Sequence, residues 1–308
     1  MKFRRCLLSL FAGWLIAMPA LAQKSGKTKP PLNEDRGIVA EEFLKARPGK
    51  SGAAAKRAGY RSTSAKASPR KEHAESIAQL GLTIWRLRPA HANDEVRMIV
   101  QQGEDALEWT PERVATDAPL RLGERIRFSF ESPREGYLYV IDRERYANGS
   151  FGEPVLIFPT TRTRGGENRV APGRIIEIPA QEDRPNYMWL KPTRLDLTGE
   201  NLTVIVTPQL LEGITIGEKP LSLSDEQVAK WEKNWGATVE RFEMTGGAGK
   251  AWTRAERDAG ADATRQLTQE DPGPQTIYRV VVKPDQPILV KVGLRYARAG
   301  AGQRKTSR

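Results

Sequence analysis

From Leu80 onward the apolar positions of the chain recur with a period of two. In "RIRFSF", Ile126, Phe128 and Phe130 alternate with Arg125, Arg127 and Ser129, so one face of an extended segment is buried and the other is wet. "GYLYVI" differs: Tyr137, Tyr139 and Ile141 fall on one face, Leu138 and Val140 on the other, the pattern of a central strand covered on both sides. "TIWRL", "VRMIV", "VLIF", "RIIEI" and "LTVIVT" supply further β-branched runs separated by Pro, Gly and Asn clusters. The runs are short, lie at hairpin-like distances and have few helical crossovers between them. The expected fold is mainly β, an antiparallel β-sandwich or partly closed barrel with a few short peripheral helices.

Past residue 222 the period changes. "SDEQVAKWEKNWG" opens on Ser224, has Gln227 three positions later, places Val228, Trp231 and Trp235 on one face and ends at Gly236, which predicts a helix from Asp225 to Trp235. "TRAERDAG" reads as a second short helix, and "TIYRVVVKPDQPILVKVGLRY" as a C-terminal hairpin around Pro-Asp-Gln-Pro. Asn148-Gly149 is a turn signal, because both residues tolerate positive φ. The connection from Asp142 to Pro154 reads as a long loop with room for a site.

The two ends change the picture. Lys2, Arg4 and Arg5, an apolar run from Cys6 to Met18, Pro19 and Ala20-Leu21-Ala22 have the form of a secretory signal. Cleavage is expected after Ala22, and the sole cysteine, Cys6, leaves with the peptide. The mature chain then has no thiol and must stand on packing alone, as a periplasmic or secreted protein. No later stretch has the length and apolarity of a membrane span.

The formal charge of +11 is concentrated in those ends: residues 23 to 71 carry +9, whereas residues 72 to 297 hold 29 basic against 34 acidic side chains. A mildly acidic body argues against nucleic acid as the partner. The resulting division is 1–22 signal peptide, 23–78 disordered basic arm, 79–222 β-sandwich, 223–298 helix-plus-hairpin extension on the same body, and 299–308 basic tail. One island, "GIVAEEFLKAR", interrupts the arm with Ile38, Val39 and Phe43 near helical spacing, a marginal helix on its own. The arm's lysines suit weak attraction to an anionic envelope surface, or only reach and solubility.

Gly136-Tyr137-Leu138-Tyr139-Val140, Leu156-Ile157-Phe158-Pro159, Asn168 with Val170 and Gly173, Ile178-Pro179, and Gly199-Glu200 followed by Val204-Ile205-Val206-Thr207 together resemble the bacterial family called domain of unknown function 4384, over residues 120 to 215. The resemblance implies an accessory β domain without an assigned chemistry, so it transfers no catalytic residues.

Candidate chemistry is sparse. His73 and His91 lie beside loops and no thiol remains, which disfavours Ser-His and Cys-His hydrolysis and excludes a cysteine-rich zinc site. "TGGAGKAW" fails as a phosphate loop, since Met244 stands at the first Gly position and Ala251 follows the lysine; it reads as a flexible connection. Arg162, Arg164, Arg169 and Arg174 surround Gly165-Gly166 and form the candidate anion or ligand site, weighed against a solvated loop. Asp142, Glu144, Glu153 and Glu167 are carboxylates of neighbouring loops, and Trp85, Trp109, Trp189, Trp231, Trp235 and Trp252 include candidates for sugar stacking, with burial the simpler role for most. No cofactor is implied. The expected function is a non-enzymatic interaction or scaffolding module with a protein or envelope-polymer partner; the alternative is a carboxylate-dependent hydrolase acting on envelope polysaccharide.

Overall fold

The computed structural model describes residues 33–49, 76–102, 105–261 and 265–297. In chain order the elements are α1 (Asn33–Lys45), β1 (Ser76–Pro89), β2 (Met98–Gln102), β3 (Asp105–Val114), β4 (Arg125–Glu131), β5 (Gly136–Tyr146), β6 (Val155–Phe158), β7 (Arg169–Val170), β8 (Ile175–Ile178), β9 (Met188–Trp189), β10 (Leu197–Thr207), β11 (Leu221–Ser222), α2 (Asp225–Trp235), β12 (Val239–Glu243), α3 (Arg254–Ala261), β13 (Thr276–Val282) and β14 (Ile288–Arg295). Among the described residues the protein is mainly β, with two antiparallel sheets and no closed barrel, consistent with a sandwich. The expected signal peptide, most of the basic arm and the basic tail lie outside the described residues.

The first sheet is organised by β1. Residues Ser76–Leu82 pair with β13, Ile84–Pro89 with β3 and Gly81–Leu87 with β4. Because Gly81, Leu82 and Ile84–Leu87 pair on both sides, β13 and β3 share one edge of β1 and β4 takes the other. β2 then pairs with β3, β12 with β13, and β8 and β9 with β4. The second sheet runs β11-β6-β5-β10-β14, with β7 also on β5.

Alternation builds the core between the sheets. Leu80, Leu82 and Ile84 of β1 and Phe128 and Phe130 of β4 pack with Leu138, Val140, Leu202, Val204, Val206, Val290 and Val292 of the second sheet. Each such side chain contributes about 1.5–3 kcal/mol by leaving water. The outer face of the second sheet, with Tyr139, Ile141, Ile205 and Leu289, lies under Val228 and Trp231 of α2. That helix has its expected bounds, and the Ser224 side chain accepts from the Gln227 N–H at 3.1 Å.

The outer face of the first sheet is covered by α1, α3 and loops, with Val39 and Phe43 of α1 on Phe242 and Ile277. Under this cover lie three buried ion pairs: Arg47 with both oxygens of Glu131 at 2.7 Å, Arg127 with Glu177 at 2.7 Å, and Arg113 with Glu256.

Several expectations are corrected. The island at 33–45 is not a fluctuating part of a disordered arm: it is a helix docked on the body through fully buried Phe43. Packing supplies what an isolated helix of that length lacks. The first strand of the body, β1, is described from Ser76.

The two terminal runs are strands but do not form a hairpin: β13 pairs with β1 and β14 with β10, in different sheets. Their apolar faces, with Tyr278, Val280 and Val282 on one and Ile288, Val290 and Val292 on the other, meet across the core rather than side by side. The residues from 142 to 154 are also no open loop. β5 continues to Tyr146, the Asn148-Gly149 turn follows with Gly149 at φ 84°, and Gly152 N–H returns to the Glu144 carbonyl at 2.9 Å.

"TGGAGKAW" lines the edge of β3 instead of hanging free, with Gly249 N–H on the Arg113 carbonyl and Arg113 N–H on the Lys250 carbonyl, both at 2.9 Å. β3 and β12 had no period-two signal. Pro111 is tolerated in β3 because its side of the backbone faces away from β1, where its carbonyl accepts from Trp252 at 3.0 Å.

Candidate functional site

The same alternation that sends Ile126 and Phe128 inward sends Arg125 outward at the start of β4. Trp189 of β9 stands directly opposite it in the ladder. The Arg125 guanidinium lies 4.8 Å from the Trp109 ring centroid, 5.2 Å from that of Tyr187 and 5.7 Å from that of Trp189. Lys191 places its Nζ 4.4 Å from the Trp189 ring. Each cation is drawn to the electron-rich face of a ring.

Trp189 is 49% exposed and Leu107 of β3 44%, whereas Trp109 and Tyr187 are half-buried against the cluster of Trp85, Leu87, Met98 and Trp252. The backbone beside Trp189 is pinned, with Leu190 N–H on the Glu124 carbonyl at 3.0 Å and Gly123 N–H on the Leu190 carbonyl at 2.7 Å. The result is an aromatic platform with two cations, built on β3, β4, β9 and the residues flanking β9, with the Trp189 ring open to solvent. Trp85, Trp231 and Trp252 are buried, as expected for most of the tryptophans.

The four arginines of the expected anion loop are partly dispersed. Arg162 donates to the Arg184 carbonyl at 3.0 Å, and Arg169 pairs with Glu135 at 2.9 Å. Arg164, in the left-handed region at φ 54°, donates to the Ile175 carbonyl at 3.1 Å. Burial and the nearby Arg174 guanidinium push the Arg164 pKa down. The loop therefore brings Arg164 and Arg174 together and gives Arg162 and Arg169 protein partners elsewhere.

The expected carboxylates divide differently. Asp142 and Glu144 alternate along β5 on the inward face that carries Val140, and Glu200 of β10 stands opposite Glu144. Glu144 accepts from the Tyr146 hydroxyl at 2.7 Å and the Thr193 hydroxyl at 2.6 Å, and Glu200 from the Tyr296 hydroxyl. Burial first, then Glu200 and Glu144, push Asp142 up to about 8. Burial also raises Glu200. Tyr296 lines a recess of about 580 Å³ at the adjoining end of the sandwich, together with Arg145, Leu197 and Arg295. Glu153 and Glu167 are exposed and stand outside this cluster.

His91 is an exposed turn residue whose carbonyl accepts from Arg97, and His73 lies outside the described residues. Among the described residues no group of three His, Cys, Asp or Glu is arranged to hold a metal ion. No helix there is long and apolar enough to cross a membrane.

Sequence reasoning named Trp109 and Trp189 but missed Arg125, Tyr187 and Lys191. The signal was present: in "NYMWLK", Tyr187, Trp189 and Lys191 are two apart, the spacing of one face of an extended segment. Glu200 was missed as a carboxylate partner because only the ladder register sets it beside Glu144. No family model matches the chain, and no curated protein or solved structure matches it.

Proposed function

We propose that this chain is a binding module that acts after export, using the Trp189 platform as its contact surface. The observation that carries the reading is the set of Arg125, Trp109, Tyr187, Trp189 and Lys191, gathered on β3, β4, β9 and the residues flanking β9. An exposed ring whose neighbours already hold it in place binds without much ordering cost. The domain of unknown function 4384 resemblance and the signal-like first 22 residues agree with an accessory role in the bacterial envelope.

Immobilised mature protein and its Trp189→Ala variant, exposed to the same envelope extract, test the reading. The wild type should retain material that the variant loses. Equal retention by the two removes the platform as the contact surface.

A second reading, hydrolysis of envelope polysaccharide by paired carboxylates, has one feature in its favour: burial beside Glu200 and Glu144 pushes Asp142 up, the direction a general acid needs. It ranks second because these side chains face the space between the sheets. Turnover of a glycan that disappears in Asp142→Asn would reverse the ranking.

A further inference from the structure

Resting on the binding-module reading, the platform's chemistry narrows what it binds. We infer that Trp189 and Lys191 take an acidic glycan, a chain of pyranose rings bearing carboxylates. A pyranose presents a flat face of C–H bonds that packs on the negative face of an indole, and Trp189 offers an exposed ring for that contact. Lys191 adds a compact, strongly hydrated charge on a flexible stem at the same ring. A carboxylate carried by a sugar packed on that ring would lie beside this charge.

Arg125 has a different part. Gathered among Trp109, Tyr187 and Trp189, it fixes the orientation of the rings before the ligand arrives.

The groups offered at this place are side chains, a ring and a cation, which match a carboxylated sugar.

The test is calorimetric titration of the mature chain with oligogalacturonate, with a neutral glucan and with poly-glutamate, which has the charge without the pyranose. Oligogalacturonate should bind best and more weakly as salt rises. Trp189→Ala should weaken it about tenfold or more, the scale of one lost aromatic contact. Lys191→Gln should weaken it about threefold and flatten the salt dependence. Circular dichroism of both variants should match the wild type.

Poly-glutamate or neutral glucan binding as tightly through Trp189 would overturn the acidic-glycan inference and leave the binding module standing. Absence of oligogalacturonate binding, or binding indifferent to Trp189→Ala, also overturns it. If Trp189→Ala leaves retention from envelope extract unchanged as well, the platform reading falls with it.

Discussion

Asp142 shows how far one position can depart from its ordinary chemistry. A carboxyl that titrates near 3.8 in a free side chain is pushed to about 8 by burial and by the charges of Glu200 and Glu144. Between those two values the folded protein keeps a proton that the unfolded chain has released. Stability from this group is therefore fully present below about pH 4 and lost progressively as the pH rises toward 8. Asp142→Asn removes the titration at similar size. Urea unfolding at pH 5, 6.5 and 8 should show a flatter pH dependence than the wild type, with the variant gaining on the order of 3–4 kcal/mol, relative to wild type, between the lowest and highest pH. Parallel curves for the two proteins would refute the assignment. Glu200 is raised in the same direction, so some slope should remain in the variant. The sequence named Asp142, but its perturbation depends on burial and on Glu200, a partner from another strand.

Among the elements, α2 was fully legible because cap, apolar face and stop are all local: Ser224, then Val228 and Trp231, then Gly236. β3 was not, because its polar positions at Glu108 and Glu112 and its Pro111 make sense only once β1, β2 and the 249–252 segment are in place. The C-terminal strands were legible as strands and misleading as a pair, since proximity in sequence favours a hairpin and the core favours separation. Two helical glycines give contrasting tests. A Cβ at Gly260 of α3 would stand 2.3 Å from the Glu177 carboxyl carbon, and Glu177 is held by Arg127 at 2.7 Å and Gln181 at 2.8 Å. Gly260→Ala should cost about 1–3 kcal/mol of overpacking. At Gly37 of α1 nothing lies within 4 Å of the same atom, so Gly37→Ala should stabilise by about 0.5–1 kcal/mol. Chemical denaturation midpoints check both; equal effects of one sign would contradict the packing of α3.

At the scale of the whole molecule, the layer over the first sheet is tied to it by buried charge. Arg47, just beyond α1, reaches Glu131 of β4 with two hydrogen bonds and the carbonyls of Thr268, Asp271 and Pro272 with three more. Arg47→Met strands the Glu131 charge and should cost about 3–5 kcal/mol, whereas Arg47→Met combined with Glu131→Leu should recover a large part of it. Equilibrium unfolding of the two variants decides this, and a single variant as stable as wild type would detach α1 from the cooperative fold. The sequence by itself determined the β class, the inward and outward face of each strong strand and the bounds of α2. Those follow from alternation and capping, which act between residues close along the chain. Only the tertiary structure decided that the island at 33–45 docks, that β13 and β14 part between sheets, that Glu200 meets Asp142 and Glu144, and that Arg125 gathers three aromatic rings. Each of these is a contact between distant segments, fixed by register and burial, and no local pattern encodes which partner a strand or a charge will meet.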